Sequence, residues 1–197
     1  MSLPRSSLVE SAAAHVSAHL AEPVLHHSVR VAELATRISE SEQLRIDPDL
    51  LWIASLFHDF GTVAGAEAPE RFEVVGAQEA VRFLRTHGVQ DEAAQQVWDA
   101  IALHTSPHIA EARGGLTRAI RLGVLMDFGD DVLADSAAIR AELERTAPRL
   151  DIEVVLADAV VGQAVACPEK APPSSWPGDL YSWHLEHPEH RGRNAAF

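Results

Sequence analysis

The stretch DPDLLWIASLFHDFG, residues 47–61, decides the fold. Asp47 is a helix-capping residue, Pro48 is tolerated at the first helical position and Gly61 ends a helix, so the pattern predicts a helix over about 48–59. Its apolar residues surround the cylinder and do not form a stripe, which predicts a central, buried helix. His58 and Asp59 then fall at the end of the most apolar helix in the chain. A charged carboxylate in such a place is costly unless it is paired or bound to a metal. The simple alternative is an aspartate that caps the helix or orients the neighbouring histidine.

Outward from this helix, nearly every patterned segment reads as helix. LVESAAAHVSAHL (8–20) is alanine-rich, and Pro23 opens VLHHSVRVAELATRISE (24–40), where Val24, His27, Val31, Leu34 and Ile38 share one face. Further helices are predicted at about 73–86, 91–103, 115–127, 132–146 and 151–166. His104 continues the inward line of Val97 and Ile101, and Asp127 continues that of Ile120 and Val124. Several helices therefore each send a histidine or carboxylate inward. No internal repeat, heptad array or alternating strand series is present. The prediction is an all-α fold, a single-domain helical bundle over 1–167, with an irregular, partly packed extension over 168–197. The Gly/Pro-bearing loop at 61–71 is long enough to form a rim or lid.

The order His27, His58-Asp59, His104, Asp127 resembles the HD-domain superfamily of metal-dependent hydrolases, whose pattern is a histidine, an adjacent His-Asp pair and a distant aspartate on a helical bundle. HHSVRV, ASLFHDFGT and LGVLMDFG carry the resemblance, which spans roughly residues 20–130. RFEVVGAQEAVRFLRTHG and VWDAIALHTSP look most like the cyanamide hydratase-like branch. The resemblance implies His27, His58, Asp59 and Asp127 as metal ligands, and one divalent ion, zinc or iron, with manganese also suited. Imidazole and carboxylate donors fit such ions, and the absence of thiolates argues against a structural zinc site. Glu73 and His104 are the catalytic candidates, one accepting a proton from water and the other delivering one to the developing anion.

The implied activity is hydration or hydrolysis by water activated on the metal, with a small nitrile-like, cyanamide-like molecule as substrate. Phosphate ester or nucleotide hydrolysis is the alternative. It calls for basic residues at the pocket, and only Arg30, Arg71 and Arg82 stand near the doublet in sequence. Two more distant readings are a di-iron oxygenase and a non-catalytic, metal-stabilised ligand-binding protein. Arg30 is one turn from His27, where it can meet an anion or a ligand carboxylate. His26, His87, His108 and the tail histidines read as surface or helix-end residues.

Composition bounds the rest. The 197 residues suffice for one hydrophobic core. A formal net charge of −13 argues against nucleic acid or an anionic membrane as partner, leaving a small molecule and self-association into a homodimer. One cysteine, Cys167, excludes an internal disulfide, and with no long apolar run the expected location is cytoplasmic.

Overall fold

Helix α3, Pro48–Phe57, starts where Asp47 accepts hydrogen bonds from the amides of Asp49 (2.9 Å) and Leu50 (3.4 Å), and it buries seven of its ten residues. A computed structural model describes residues 6–63 and 69–191. Helices α1 (Ser7–Ser17), α2 (Glu22–Ser41), α4 (Phe72–Thr86), α5 (Asp91–Leu103) and α7 (Gly115–Asp127) all pack on α3. The most extensive pairings are α4 with α5 and α2 with α7. A five-residue α6 (Ile109–Arg113) precedes α7; α8 (Ser136–Leu143), α9 (Ile152–Ala166) and α10 (Trp176–Glu186) follow. No strand occurs among the described residues, so the fold is the all-α, single-domain bundle expected. No helix there is long and apolar enough to cross a membrane.

Two differences from the sequence-based expectation have local causes. The helix predicted at 132–146 is confined to Ser136–Leu143, because the Ser136 hydroxyl donates to Leu133 O and accepts from Leu133 N, both at 2.8 Å, closing a turn ahead of it. The tail expected to be irregular contains α10. Ser175 caps it by accepting from the Gly178 amide at 3.2 Å, and Pro177 lies in its first turn. Leu180 joins Phe72, Ala157 and Val160 in a small apolar cluster, and buried Lys170 donates to Glu70 O at 2.9 Å. The tail is thereby fastened to the start of α4. The predicted rim loop and the chain end lie partly outside the described residues.

After Phe57 the chain passes through His58 and Asp59 into a 3-10 turn, Phe60–Val63. Both the amide (3.0 Å) and the hydroxyl (2.7 Å) of Thr62 donate to Asp59 O, and Gln163 of α9 donates to Gly61 O and Thr62 O at 2.9 and 3.1 Å. Gly61 is required by close approach: a β-carbon there would lie 1.9 Å from the carbonyl oxygen of Phe72. Gly76 on α4 similarly faces Phe57 O, 2.9 Å from where its β-carbon would be. The start of α4 is thus pressed against the backbone that carries the doublet. Gly61→Ala is expected to cost about 3 kcal/mol or more, since backbone on both sides must move. A denaturation midpoint equal to that of the unsubstituted protein would show this contact to be absent.

Candidate metal centre

Three imidazoles are fixed by their own hydrogen bonds before any ligand is considered. His58 Nδ1 donates to Ser55 O at 2.7 Å and His104 Nδ1 donates to Ile101 O at 2.7 Å, each at the C-terminal end of its helix, where carbonyls lack helical partners. His27 Nδ1 donates to Asp127 Oδ2 at 2.7 Å. With Nδ1 as donor, a neutral ring turns an Nε2 lone pair to the other side. The Nε2 atoms of His27 and His58 accordingly face each other at 3.1 Å, and both rings are fully buried.

Asp59 completes the cluster. Its Oδ2 lies 3.2 Å from His58 Nε2 and 3.6 Å from His27 Nε2, is buried, and has no hydrogen-bond partner among the described residues. Two lone pairs and an anionic oxygen at these separations repel unless a cation lies between them. Ligand atoms bound at about 2.0–2.2 Å to one centre stand about 3.0–3.5 Å apart, close to the spacings here. His27, His58 and Asp59 are the one group of such donors among the described residues within mutual reach of a single ion. The residues present therefore fit a divalent metal held by two imidazoles and one carboxylate, a set that leaves coordination positions open.

The electrostatics agree. Burial pushes His27 below its ordinary value against the pull of Asp127. Burial also acts to lower His58, but the adjacent Asp59 charge, with the Ser55 carbonyl and Asp127, outweighs it and the net direction is upward. Asp59 itself would be raised by burial, yet His58, His104 and His27 hold it well below the carboxylate range. A cation at this point is thus matched by a carboxylate that stays ionised.

Of the four expected ligands, Asp127 stands outside the group formed by His27, His58 and Asp59. Its carboxylate lies behind His27, on the Nδ1 side. Arg30 clamps it with two parallel bonds, Nε to Oδ1 at 2.7 Å and Nη2 to Oδ2 at 2.8 Å. Arg30 is fully buried and also donates to Ala147 O (2.9 Å) and Pro148 O (3.2 Å), while Arg149 donates to the Asp127 carbonyl at 2.7 Å. Burial would raise the Asp127 pKa, but Arg30 and His27 depress it strongly. Asp127 thus fixes the tautomer and ring plane of His27, as carboxylates behind metal-bound histidines commonly do.

The cluster opens into a cavity of about 490 Å³. His104 is on its wall, with Nε2 3.6 Å from Asp59 Oδ1. Glu73, expected at the reaction centre, is fully buried but is not part of the wall. It pairs with Arg71 and accepts from Thr105 Oγ1 at 2.7 Å, and those two partners do face the cavity. Arg121 is a wall residue that sequence reasoning missed. Its Nη1 donates to His104 O at 3.1 Å, whereas its buried Nε has no hydrogen-bond partner among the described residues, the nearest carboxylate being Glu111 at 3.5 Å. Burial lowers its pKa against the pull of Glu111. Of the other basic candidates, Arg30 is consumed by Asp127 and Arg82 pairs with Glu79 at the surface.

The remaining residues resolve simply. Phe60 packs with Phe57, His15 and His19, and Thr62 serves the turn. His26 binds Pro148 O at 3.0 Å on the outside of the bundle, and His87 binds Phe83 O at 2.9 Å. No curated protein matches this sequence. The HD domain family matches residues 24–161, a span that begins just before His27, contains the whole His27–His58–Asp59 cluster and ends within α9. With this cluster on an all-helical bundle, and a match over well more than half its length, the chain belongs to the HD-domain family and has the architecture of a metal-dependent hydrolase.

Proposed function

We propose that the protein hydrolyses a small phosphate monoester. The observation that carries this reading is the pair of guanidinium groups, Arg71 and Arg121, in the wall of the cavity that contains the metal cluster. The expectation of a nitrile draws on the cyanamide hydratase-like stretches and on a scarcity of basic residues near the doublet in sequence, and Arg121 in the cavity wall takes away the second of these grounds. Cavity size points the same way: about 490 Å³ suits a substrate of metabolite size and leaves a cyanamide-like molecule loosely held.

His27, His58 and Asp59 hold the ion in this reading, with Asp127 and Arg30 setting the His27 ring. A divalent ion there supplies Lewis acidity and lowers the pKa of a water it binds. Arg71, braced by Glu73, and Arg121, tied to the His104 carbonyl, orient the phosphate oxygens and offset their charge. Water adds to phosphorus, the bond to the organic oxygen breaks, and phosphate and an alcohol leave. With Nδ1–H committed to Ile101 O, His104 offers Nε2 to take the proton from water and return it to the departing oxygen.

Protein loaded with manganese or zinc is expected to release inorganic phosphate from phosphate monoesters and to leave cyanamide unconverted. His104→Gln should keep its metal content and lose about 10²-fold in kcat. Conversion of cyanamide without phosphatase activity would overturn the substrate class. A full rate in His104→Gln would overturn the role of that residue.

A further inference from the structure

Beyond the cluster and the two arginines, the cavity wall changes character. Val124, Leu125 and Phe128 of α7 and its C-terminal end, with Leu156 of α9, make it apolar, and Ile109 stands 61 % exposed at the same cavity. The wall is completed by Trp176, at the start of α10 and beyond the region matched by the family. The indole is half-buried and braced edge-on by Phe72, with ring centroids 5.9 Å apart, and Phe72 in turn meets the His104 ring at 5.8 Å. Asp179, one turn on, contributes a carboxylate to the same wall.

A substrate that fits has an anionic end for the metal and arginines, and an apolar, flat remainder. The α10 segment is not loosely apposed: Ser175 caps the helix, Leu180 is buried and Lys170 is anchored on Glu70 O. Trp176 is therefore presented on a fixed element, as a specificity contact requires. The Asp179 carboxylate disfavours a second negative group at that side, so the remainder is neutral.

We propose that Trp176 is a specificity-determining residue that selects monoesters whose organic group is a neutral planar aromatic ring, by stacking against it. This rests on the phosphate reading above. Its chemistry is that of ring-on-ring contact, which orients as well as buries, and a flexible alkyl chain of equal apolar area does not satisfy it equally.

The test uses non-hydrolysable probes on the full-length, manganese-loaded protein: methylphosphonate, n-hexylphosphonate and phenylphosphonate, measured by calorimetry. Phenylphosphonate is expected to bind about tenfold more tightly than either of the others, in line with aromatic stacking. Trp176→Ala should erase that preference while leaving methylphosphonate affinity within about twofold, since that probe has no ring to stack. Trp176→Leu, which keeps apolar packing against Phe72, should also erase it and guards against a folding defect in the alanine variant. A preference for n-hexylphosphonate, or a phenyl preference that survives both substitutions, overturns the role of Trp176 and leaves the phosphate reading intact. Failure of all three probes to bind overturns the phosphate reading and the inference with it.

Discussion

Asp59→Ala is expected to abolish metal binding and all turnover with it. Asp59 is the only carboxylate among the three clustered donors, and its ionised form is enforced by the surrounding imidazoles. Without it, two neutral histidines must hold a divalent charge in a buried site, with burial now acting on His58 unopposed by the adjacent anion. The clearest readout is metal-linked stability. A ligand present at a hundredfold excess over its Kd raises the unfolding free energy by about 2.7 kcal/mol. Unsubstituted protein should show a gain of that size on adding manganese or zinc and lose it to a chelator, while Asp59→Ala should show neither change. Asp59→Asn, which preserves size and one oxygen but not the charge, should resemble alanine. Metal content in Asp59→Ala equal to that of the parent would remove Asp59 from the ligand set.

Much of this centre is legible in the sequence because helical periodicity reports direction. His27 shares a face with Val31 and Leu34, and His58 and Asp59 end a helix apolar on all sides, so their burial follows from pattern alone. Direction does not report distance. Asp127 points inward as its spacing with Ile120 and Val124 implies, yet whether it reaches the ion or the back of His27 depends on Arg30, a residue 97 positions away in sequence that arrives across the α2–α7 interface. Glu73 shows the same limit. Its burial is real, but Arg71 and Thr105 occupy its oxygens, and that pairing depends on how the end of α5 meets the start of α4.

Arg121 is legible in principle. Arg121, Val124, Leu125 and Phe128 repeat at i, i+3, i+4 and i+7 and form the cavity face of α7, beside the core face that contains Ile120 and Asp127. A search confined to residues near the doublet in sequence passes over a second stripe on a distant helix. Trp176 is harder to place. Ser175 and Pro177 announce a helix start, but only the packing of Leu180 on Phe72 and α9 brings that helix to the cavity.

Arg30→Met is expected to be the most destabilising single change, at about 3–5 kcal/mol, because it removes one partner of a fully buried ion pair and strands the other. Arg30 ties α2 at once to the end of α7 and to the carbonyls of Ala147 and Pro148. Arg149 is 3.5 Å from Asp127 Oδ2 and offers only partial compensation. The pair also makes stability depend on acid. Asp127 has a native pKa depressed below its unfolded value, so its contribution is complete above about pH 4 and is lost as pH falls through the native value. Arg30→Met should flatten that acid limb as well as lower the plateau. Adding Asp127→Leu removes the stranded charge and should return much of the stability, since a well-packed apolar replacement of a buried pair is often near neutral. It should not return metal affinity. His27 would still lack the acceptor that sets its tautomer, a loss of about 10–100-fold in binding at such positions. Recovery of stability and metal affinity together in the double variant would show that Asp127 and Arg30 serve packing only; recovery of stability alone would identify them as the groups that orient His27.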